Sequence, residues 1–378
     1  MGGASVSEEE ASSVSAGHGV RLRQTIAAAI AEADGWLPFD RFMALALHAP
    51  GLGYYARGSR QFGLMPSSGS DFVTAPELSP LFGKTLASQV AQALQASGSD
   101  TVWEFGAGSG ALAAQLLDAL GSQVGRYAIV DLSGSLRQRQ QERLAVYGAR
   151  VHWLDALPET MHGVVVGNEV LDAMPVQLVH WDGAQWLERG VVATPGGYAW
   201  HVRPTLLAPP LEGAASAHFV PGYVTEIHPQ AEAFIATLAG RLTRGAAFFI
   251  DYGFPEAEYY HAQRSGGTLM CHRAHRADAD PLSDVGEKDI TAHVNFSAIA
   301  VAGQDAGFEG LGYTSQARFL LNCGLAEHLQ AADLPARAHA LKLINEHEMG
   351  ELFKVIGFAR GCTLDAIGFG TGDRSHTL

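Results

Sequence analysis

The chain has 378 residues with 25 basic and 39 acidic side chains, a formal net charge of −14, so a dedicated nucleic-acid or anionic-membrane binder, which would show a basic patch, is not expected. Hydrophobic residues make up 47% and charged ones 17%, which excludes a largely disordered protein and leaves ample material for a core. No apolar run approaches the roughly 20 residues that span a bilayer. Cys271, Cys323 and Cys362 are odd in number and far apart, which fits neither a disulfide framework nor a zinc site. Cys271, His272 and His275 lack a second ligand pair, so no metal is expected. Glu8, Glu9 and Glu10 stand where a transit peptide would be Arg-rich, and the expectation is a soluble cytoplasmic protein without membrane insertion or a nucleic-acid partner.

Taken in chain order, residues 1–19 are small and polar and read as a disordered tail. Residues 20–98 read as an N-terminal helical cap: apolar positions recur at helical spacing from Val20 to Leu47, with Pro38 and Asp40 suited to opening a second helix. A Gly- and Pro-rich loop follows between Pro50 and Pro80, long enough to serve a site, and Leu81 to Leu94 resumes a helix. Residues 99–254 change texture. The strands TVWEFG, RYAIVDL, ARVHWL and GVVVGNEV alternate with the helices ALAAQLLDAL and LRQRQQERLAVY, the texture of a buried parallel sheet. Between about 176 and 203 the sequence alternates apolar and polar residues around Asp182-Gly183 and Gly196-Gly197, which predicts an inserted β-meander. A helix near 230–242 and the strand AAFFIDYG restore the α/β pattern. Residues 255–310 are expected to be a helical substrate region, and 311–378 to complete the core with strands near 310–314 and at FKVIGFARG.

The segment Glu104-Phe-Gly106-Ala-Gly108-Ser-Gly110-Ala carries the most chemistry. It lies between a strand and a helix, where open α/β sheets bind ligands, and its glycines let backbone approach a ligand closely. Gly106, Gly108 and Ala111 satisfy a dinucleotide fingerprint. Glu104 with Gly106, Gly108 and Gly110 instead fits a methyl-donor loop. The acidic residue discriminates: a carboxylate can pair with the ammonium group of S-adenosylmethionine, whereas it would repel a pyrophosphate. Asp131, closing the next strand, is placed to accept ribose hydroxyls in either case. Asp155, after the third strand, could meet an adenine amino group or cap a helix. The adjoining Leu132 and Ala156 are counted with the donor site.

After the fourth strand comes Asn168-Glu169-Val-Leu-Asp172-Ala-Met-Pro175. Glu169 and Asp172 are three apart, so one helical turn would put both carboxylates on one face. Two carboxylates beside a cationic donor are costly unless a cation joins them, which points to a basic acceptor such as a guanidinium. Glu226, in YVTEIHP, could add a carboxylate or simply complement a helix dipole. His293 could act as a base, or merely cover a first helical turn capped by Asp289. Thr74, Pro76 and Glu77 lie in the loop SDFVTAPE.

The ordered motifs FMALALHAPGLGYY, SDFVTAPELSPLFG, EFGAGSGAL, YAIVDLSGSLRQRQ, NEVLDAMPV, FFIDYG, GGTLMCHRAH, DITAHVNF, TSQARFL and FKVI closely resemble the MidA-like family of class I S-adenosylmethionine-dependent methyltransferases. That group includes the mitochondrial complex I assembly factor, and the resemblance runs from about residue 36 to 358. It implies a Rossmann-like sheet and methylation of a protein arginine, the acceptor being a respiratory complex I-type subunit. It further implies that Glu104, Gly106, Gly108, Gly110, Asp131 and Asn168 serve the donor, with Thr74 and Pro76 in a loop closing over it, and that Glu169 and Asp172 flank the methyl group. Three positions depart from the family pattern: Asp131 stands for Glu, Asn295 for Asp and His272 for Tyr. An NAD-dependent oxidoreductase and a non-catalytic assembly chaperone are the alternatives.

Overall fold

The computed structural model describes residues 8–56, 73–131, 134–210, 219–273 and 276–378. Residues 1–7 of the expected tail, 57–72 of the Gly- and Pro-rich loop, Leu132 and His275 lie outside the described residues. The chain forms two compact units: Met1–Ser59, Pro175–Ile227 and Ala262–Thr291 make one, and Arg60–Met174, His228–His261 and Ala292–Leu378 the other.

Elements are numbered along the chain. The smaller unit holds α1 (Glu8–Glu32), β1 (Leu37–Pro38), α2 (Phe39–His48), β6 (Gln177–Trp181), β7 (Trp186–Thr194), β8 (Gly197–Pro204), β9 (Val224–Ile227), β11 (Met270–Arg273), β12 (Arg276–Asp278) and β13 (Asp289–Thr291). Residues 8–19 are thus helical rather than a disordered tail. Pro38 caps α2, and Phe39, Phe42, Met43, Ala46 and Leu47 are buried at the i, i+3, i+4 spacing of an amphipathic helix. The expected β-meander is present as β6, β7 and β8, with turns at the two predicted dipeptides. It joins β1 and β9 in a five-stranded sheet ordered β1-β7-β6-β9, with β8 on β7. The region 255–310 is not simply helical: β12, β11 and β13 form a three-stranded antiparallel sheet within it.

The larger unit contains α3 (Ala75–Leu78), α4 (Leu81–Ser97), β2 (Thr101–Phe105), α5 (Ala111–Leu120), β3 (Arg126–Val130), α6 (Gly134–Leu144), β4 (Val151–Leu154) and β5 (Met161–Asn168). It continues with α7 (Pro229–Arg241), β10 (Leu242–Phe254), α8 (Glu256–Tyr259), β14 (Val294–Asn295), α9 (Phe296–Asp305) and β15 (Glu309–Ser315). Helices α10 (Gln316–Asn322), α11 (Leu325–Ala331) and α12 (Leu334–Lys342) precede β16 (Phe353–Arg360). Its sheet runs β15-β16-β10-β5-β2-β3-β4, with β14 added beside β10. The strands from β4 to β10 are parallel, and β16 is antiparallel to both its neighbours. Alternation along β5 explains the layering. Val164 and Val166 pack with Leu86, Val90, Leu112 and Leu116 of α4 and α5; Val165 packs with Ile235, Leu238 and Ile299 of α7 and α9. With both faces covered, the strands must be apolar throughout.

Successive connections run outward from β2 through β3 to β4 and then, on the other side, from β5 to β10. The order reverses between β2 and β5, and open α/β sheets bind ligands beyond the strand carboxyl ends at such a reversal. Among the described residues no helix is long and apolar enough to cross a membrane.

Candidate active site

The glycine loop leaves β2 at this reversal. Gly106, Gly108 and Gly110 have φ of 62°, 53° and 79°, conformations that L side chains adopt only with strain. A Cβ on Gly106 would also come 3.0 Å from Val170 Cγ2. Gly110 is the N-cap of α5, so the loop feeds directly into a helix N-terminus.

Gln140 of α6, fully buried, organises the loop. Its amide donates to the Gly108 carbonyl at 2.9 Å and to Asp131 Oδ2 at 2.8 Å, while its Oε1 accepts from the Trp153 indole at 3.0 Å. One side chain thus ties together the loop, the end of β3 and β4. Glu104, expected as a partner for an ammonium group, is enclosed at 2% exposure and accepts from the Tyr127 hydroxyl at 2.7 Å. Burial pushes its carboxyl up to about 8, the Tyr127 hydrogen bond working against that and the charge of Asp131 adding to it. Asp155 is exposed and paired with Arg137 at 2.7 Å. No helix begins there, so it is not an N-cap, and Ala156 is exposed beside it.

Thr74 caps α3 without a side-chain hydrogen bond, and the Pro76 carbonyl accepts from Gln115 at 2.7 Å. Glu77 accepts from Ser109 of the glycine loop and from Arg143 of α6, the latter at 2.7 Å. The described part of the SDFVTAPE loop is therefore fastened to the glycine loop.

At the neighbouring strand ends, Asn168 closes β5 and Glu169 turns the chain with φ of 54°. A non-glycine residue in the left-handed region costs free energy and marks a place worth attention. The Glu169 N–H donates to Ile250 O at 2.9 Å, and Asn168 Nδ2 donates to Glu169 Oε1 at 2.9 Å. The next residues form a bend and a turn, not the helical turn expected from the spacing of Glu169 and Asp172. What shapes that turn is Asp251 of β10, buried at 1%. Its Oδ2 accepts from the backbone N–H of Val170, Leu171 and Asp172 at 3.1, 2.8 and 3.2 Å. Burial and then the Glu169 carboxylate push the Asp251 carboxyl up, while the N–H donors of Leu171, Asp172 and Tyr252 pull it down.

His293 does not cover a helical turn. Asp289 lies in β13 and accepts from Tyr55 at 2.8 Å; the cap of α9 is Asn295, whose Oδ1 accepts from Ala298 N–H at 3.2 Å. Asn caps a helix as well as Asp does, which accounts for this departure from the family motif. The Ala292 N–H donates to Asp172 O at 3.0 Å, and Val294 pairs with Gly253. His293 is thereby set edge-on to Tyr252 and Phe254, with ring centroids 5.7 and 5.2 Å away. Beside it, His228 is buried against Tyr259 at 2.8 Å, its pKa held down at about 3 by burial and then by His293.

The larger unit therefore brings together the glycine loop, Asp131, Asn168, Glu169, Asp172 and His293. Glu226 belongs to the smaller unit: it lies on β9, where Oε1 accepts from Thr268 and Leu269 N–H at 2.8 and 3.2 Å. Sequence reasoning missed Gln140, Asp251 and Tyr252. Asp251 alone left a signal, an acid near the end of an apolar strand; Gln140 is one polar residue among many in RQRQQER.

The residues suit an adenosyl sulfonium donor. The loop offers backbone at three positive-φ glycines, Asp131 offers a carboxylate, and the buried Oδ1 of Asn168 has no hydrogen-bond partner among the described residues, as an acceptor awaiting an ammonium group would. The S-adenosyl-L-methionine-dependent methyltransferase family model matches residues 85–314, more than half of the chain. The chain belongs to that family.

A Burkholderia thailandensis protein solved in complex with S-adenosyl-homocysteine is 53% identical to this methyltransferase, with a TM-score of 0.92 over 99% of this chain and 100% of that one. A second crystal structure from that organism is 52% identical, with a TM-score of 0.87 and the same coverage. S-adenosylmethionine is thus the cofactor, and the sheet is the Rossmann-like one expected. Curated relatives include the Caenorhabditis elegans protein named protein arginine methyltransferase NDUFAF7 homolog, mitochondrial, 25% identical over 79% of this chain and 75% of its own length. The Danio rerio protein named protein arginine methyltransferase NDUFAF7, mitochondrial, is 27% identical over 85% of this chain and 83% of its own length. These mitochondrial names overturn the expectation of a cytoplasmic protein.

Proposed function

We propose that this methyltransferase acts on a guanidinium nitrogen of a protein arginine. The observation that supports the reading is the carboxylate group at the ends of β5 and β10: Glu169 in a left-handed conformation, and Asp172 on a turn wrapped around the buried Asp251. Such a concentration of negative charge is costly unless a cation joins it, and a planar guanidinium is the side chain that meets carboxylates through paired hydrogen bonds. The names of the curated relatives, protein arginine methyltransferases, agree with it. The family resemblance extends the proposal to a respiratory complex I-type subunit as acceptor. No observation favours an oxidoreductase or a chaperone.

S-adenosylmethionine supplies an electrophilic methyl group when bound. Asp131, held by Gln140, is assigned to the ribose hydroxyls, the backbone of Gly106 and Gly108 to close approach, and Asn168 Oδ1 to the ammonium group. Glu104 supports the loop from beneath through Tyr127. Glu169 and Asp172 hold the guanidinium, draw its charge to the far nitrogens and leave the near one oriented for transfer. A guanidinium has a pKa above about 12, so orientation and fixed charge do more here than prior deprotonation. Transfer would form the nitrogen–methyl bond as the methyl–sulfur bond breaks, with S-adenosyl-homocysteine as the leaving product; the acceptor nitrogen loses one proton, and His293 is the base assigned to receive it.

The test uses purified protein, isotope-labelled S-adenosylmethionine and an extract of cells lacking this protein. After hydrolysis of the extract proteins, label in methylarginine supports the proposal; label confined to other residues or to small molecules refutes it.

A further inference from the structure

Tyr252 belongs to none of the donor or acceptor contacts assigned above, yet it is held from three directions. Its position in β10 pairs with Phe353 of β16, whose ring packs edge-on against it at 4.6 Å and 68°. The His293 ring stands at 90° and 5.7 Å. The Tyr252 hydroxyl reaches toward Glu169 and lies 3.5 Å from Oε2. Hydrogen bonds at reacting centres are often this long before a substrate binds and shorten afterwards.

The other constraints on Glu169 show what that hydroxyl adds. Its backbone is fixed by the bond to Ile250 O and its Oε1 by Asn168. The terminal torsion of a glutamate is soft, with a broad distribution of angles, so the plane of the carboxylate is set by the contacts its two oxygens make. The hydroxyl on Oε2 acts on that plane together with Asn168 on Oε1. We infer that Tyr252 is a positioning residue: its hydroxyl donates to Glu169 Oε2 and fixes the orientation in which the carboxylate holds the acceptor. This rests on the proposal that Glu169 contacts the acceptor.

The experiment combines Tyr252→Phe, Glu169→Gln and the double variant, assayed for label transfer into extract proteins from cells lacking the protein. Calorimetry with S-adenosyl-homocysteine and melting temperature accompany each variant. Phe keeps the ring and its packing, so melting temperature is expected to hold and donor affinity to stay within about twofold, while the transfer rate falls about tenfold. In the Glu169→Gln background, Tyr252→Phe is expected to change the rate by less than about twofold, because both substitutions act through one carboxylate. A normal rate for Tyr252→Phe, or an equal fall in both backgrounds, overturns the inference. The residue that the wild-type enzyme labels tests the arginine reading separately. If label enters another residue type, the variant rates measured on that acceptor still decide whether Tyr252 acts through Glu169.

Discussion

Replacing Gln140 by Leu keeps the volume at a fully buried position and removes three hydrogen bonds at once. The one to the Asp131 carboxylate, at 2.8 Å, is charge-assisted and worth about 1.5–3 kcal/mol; those to Gly108 O and from Trp153 Nε1 are neutral and worth about 1 kcal/mol each. Gly108 and Trp153 are only half-buried, so water recovers part of the loss, and a net destabilisation of about 2–3 kcal/mol is expected in urea titrations. The same side chain holds both the glycine loop and Asp131. Affinity for S-adenosyl-homocysteine should therefore fall about 10- to 100-fold, or about 1.4–2.8 kcal/mol, by calorimetry on protein verified as folded. Unchanged affinity together with a stability loss below about 0.5 kcal/mol would refute the assignment of Gln140 as the organiser of the donor side.

Three further outcomes follow from the same geometry. Glu104 is held at about 8, against an ordinary value of 4.5, so the folded chain keeps a proton that the unfolded chain releases. Its contribution to stability therefore declines as pH rises from 4.5 to 8, and Glu104→Gln should flatten that part of the urea-derived stability curve by on the order of a few kcal/mol; parallel curves would contradict this. Asp251→Leu strands the N–H groups of Val170, Leu171 and Asp172 and should destabilise the protein by at least about 3 kcal/mol, with a cost under about 1 kcal/mol counting against the role given to Asp251. NAD at millimolar concentration should neither bind in calorimetry nor compete with S-adenosyl-homocysteine, and micromolar binding would contradict the donor assignment.

The parts of this architecture written as periodicity are legible in the amino-acid sequence itself. The apolar face of α2, the valines of β5 and the dipeptide turns of the meander follow from spacing alone, because each is decided by neighbours close in sequence. Two regions mislead for local reasons. Residues 8–19 lack an apolar stripe and so carry no helical signal, yet they continue α1. The runs MCHR, RAD and DIT are too short to show a period of two, and Asp289 resembles a helix cap while the cap lies at Asn295. The site is legible where backbone conformation demands glycine and where an acid ends a strand. Gln140 is hidden because its partners arrive from other elements, and the acid of FFIDYG marks a strand end without showing that Asp251 serves backbone about eighty residues away. Glu226 looks equivalent to Glu169 in sequence, and only the fold reveals it bonded to Thr268 and Leu269 in the smaller unit.

The claim that Glu169 grips the acceptor, and not the donor, is tested most directly by one paired measurement on Glu169→Gln. Gln preserves size and removes the charge that would meet a guanidinium. Calorimetric affinity for S-adenosyl-homocysteine is expected to stay within a fewfold of wild type, while labelled methyl transfer to arginine falls about 10²-fold or more, the scale seen when one preorganised electrostatic partner is lost. Near-normal transfer by folded Glu169→Gln protein would contradict the account.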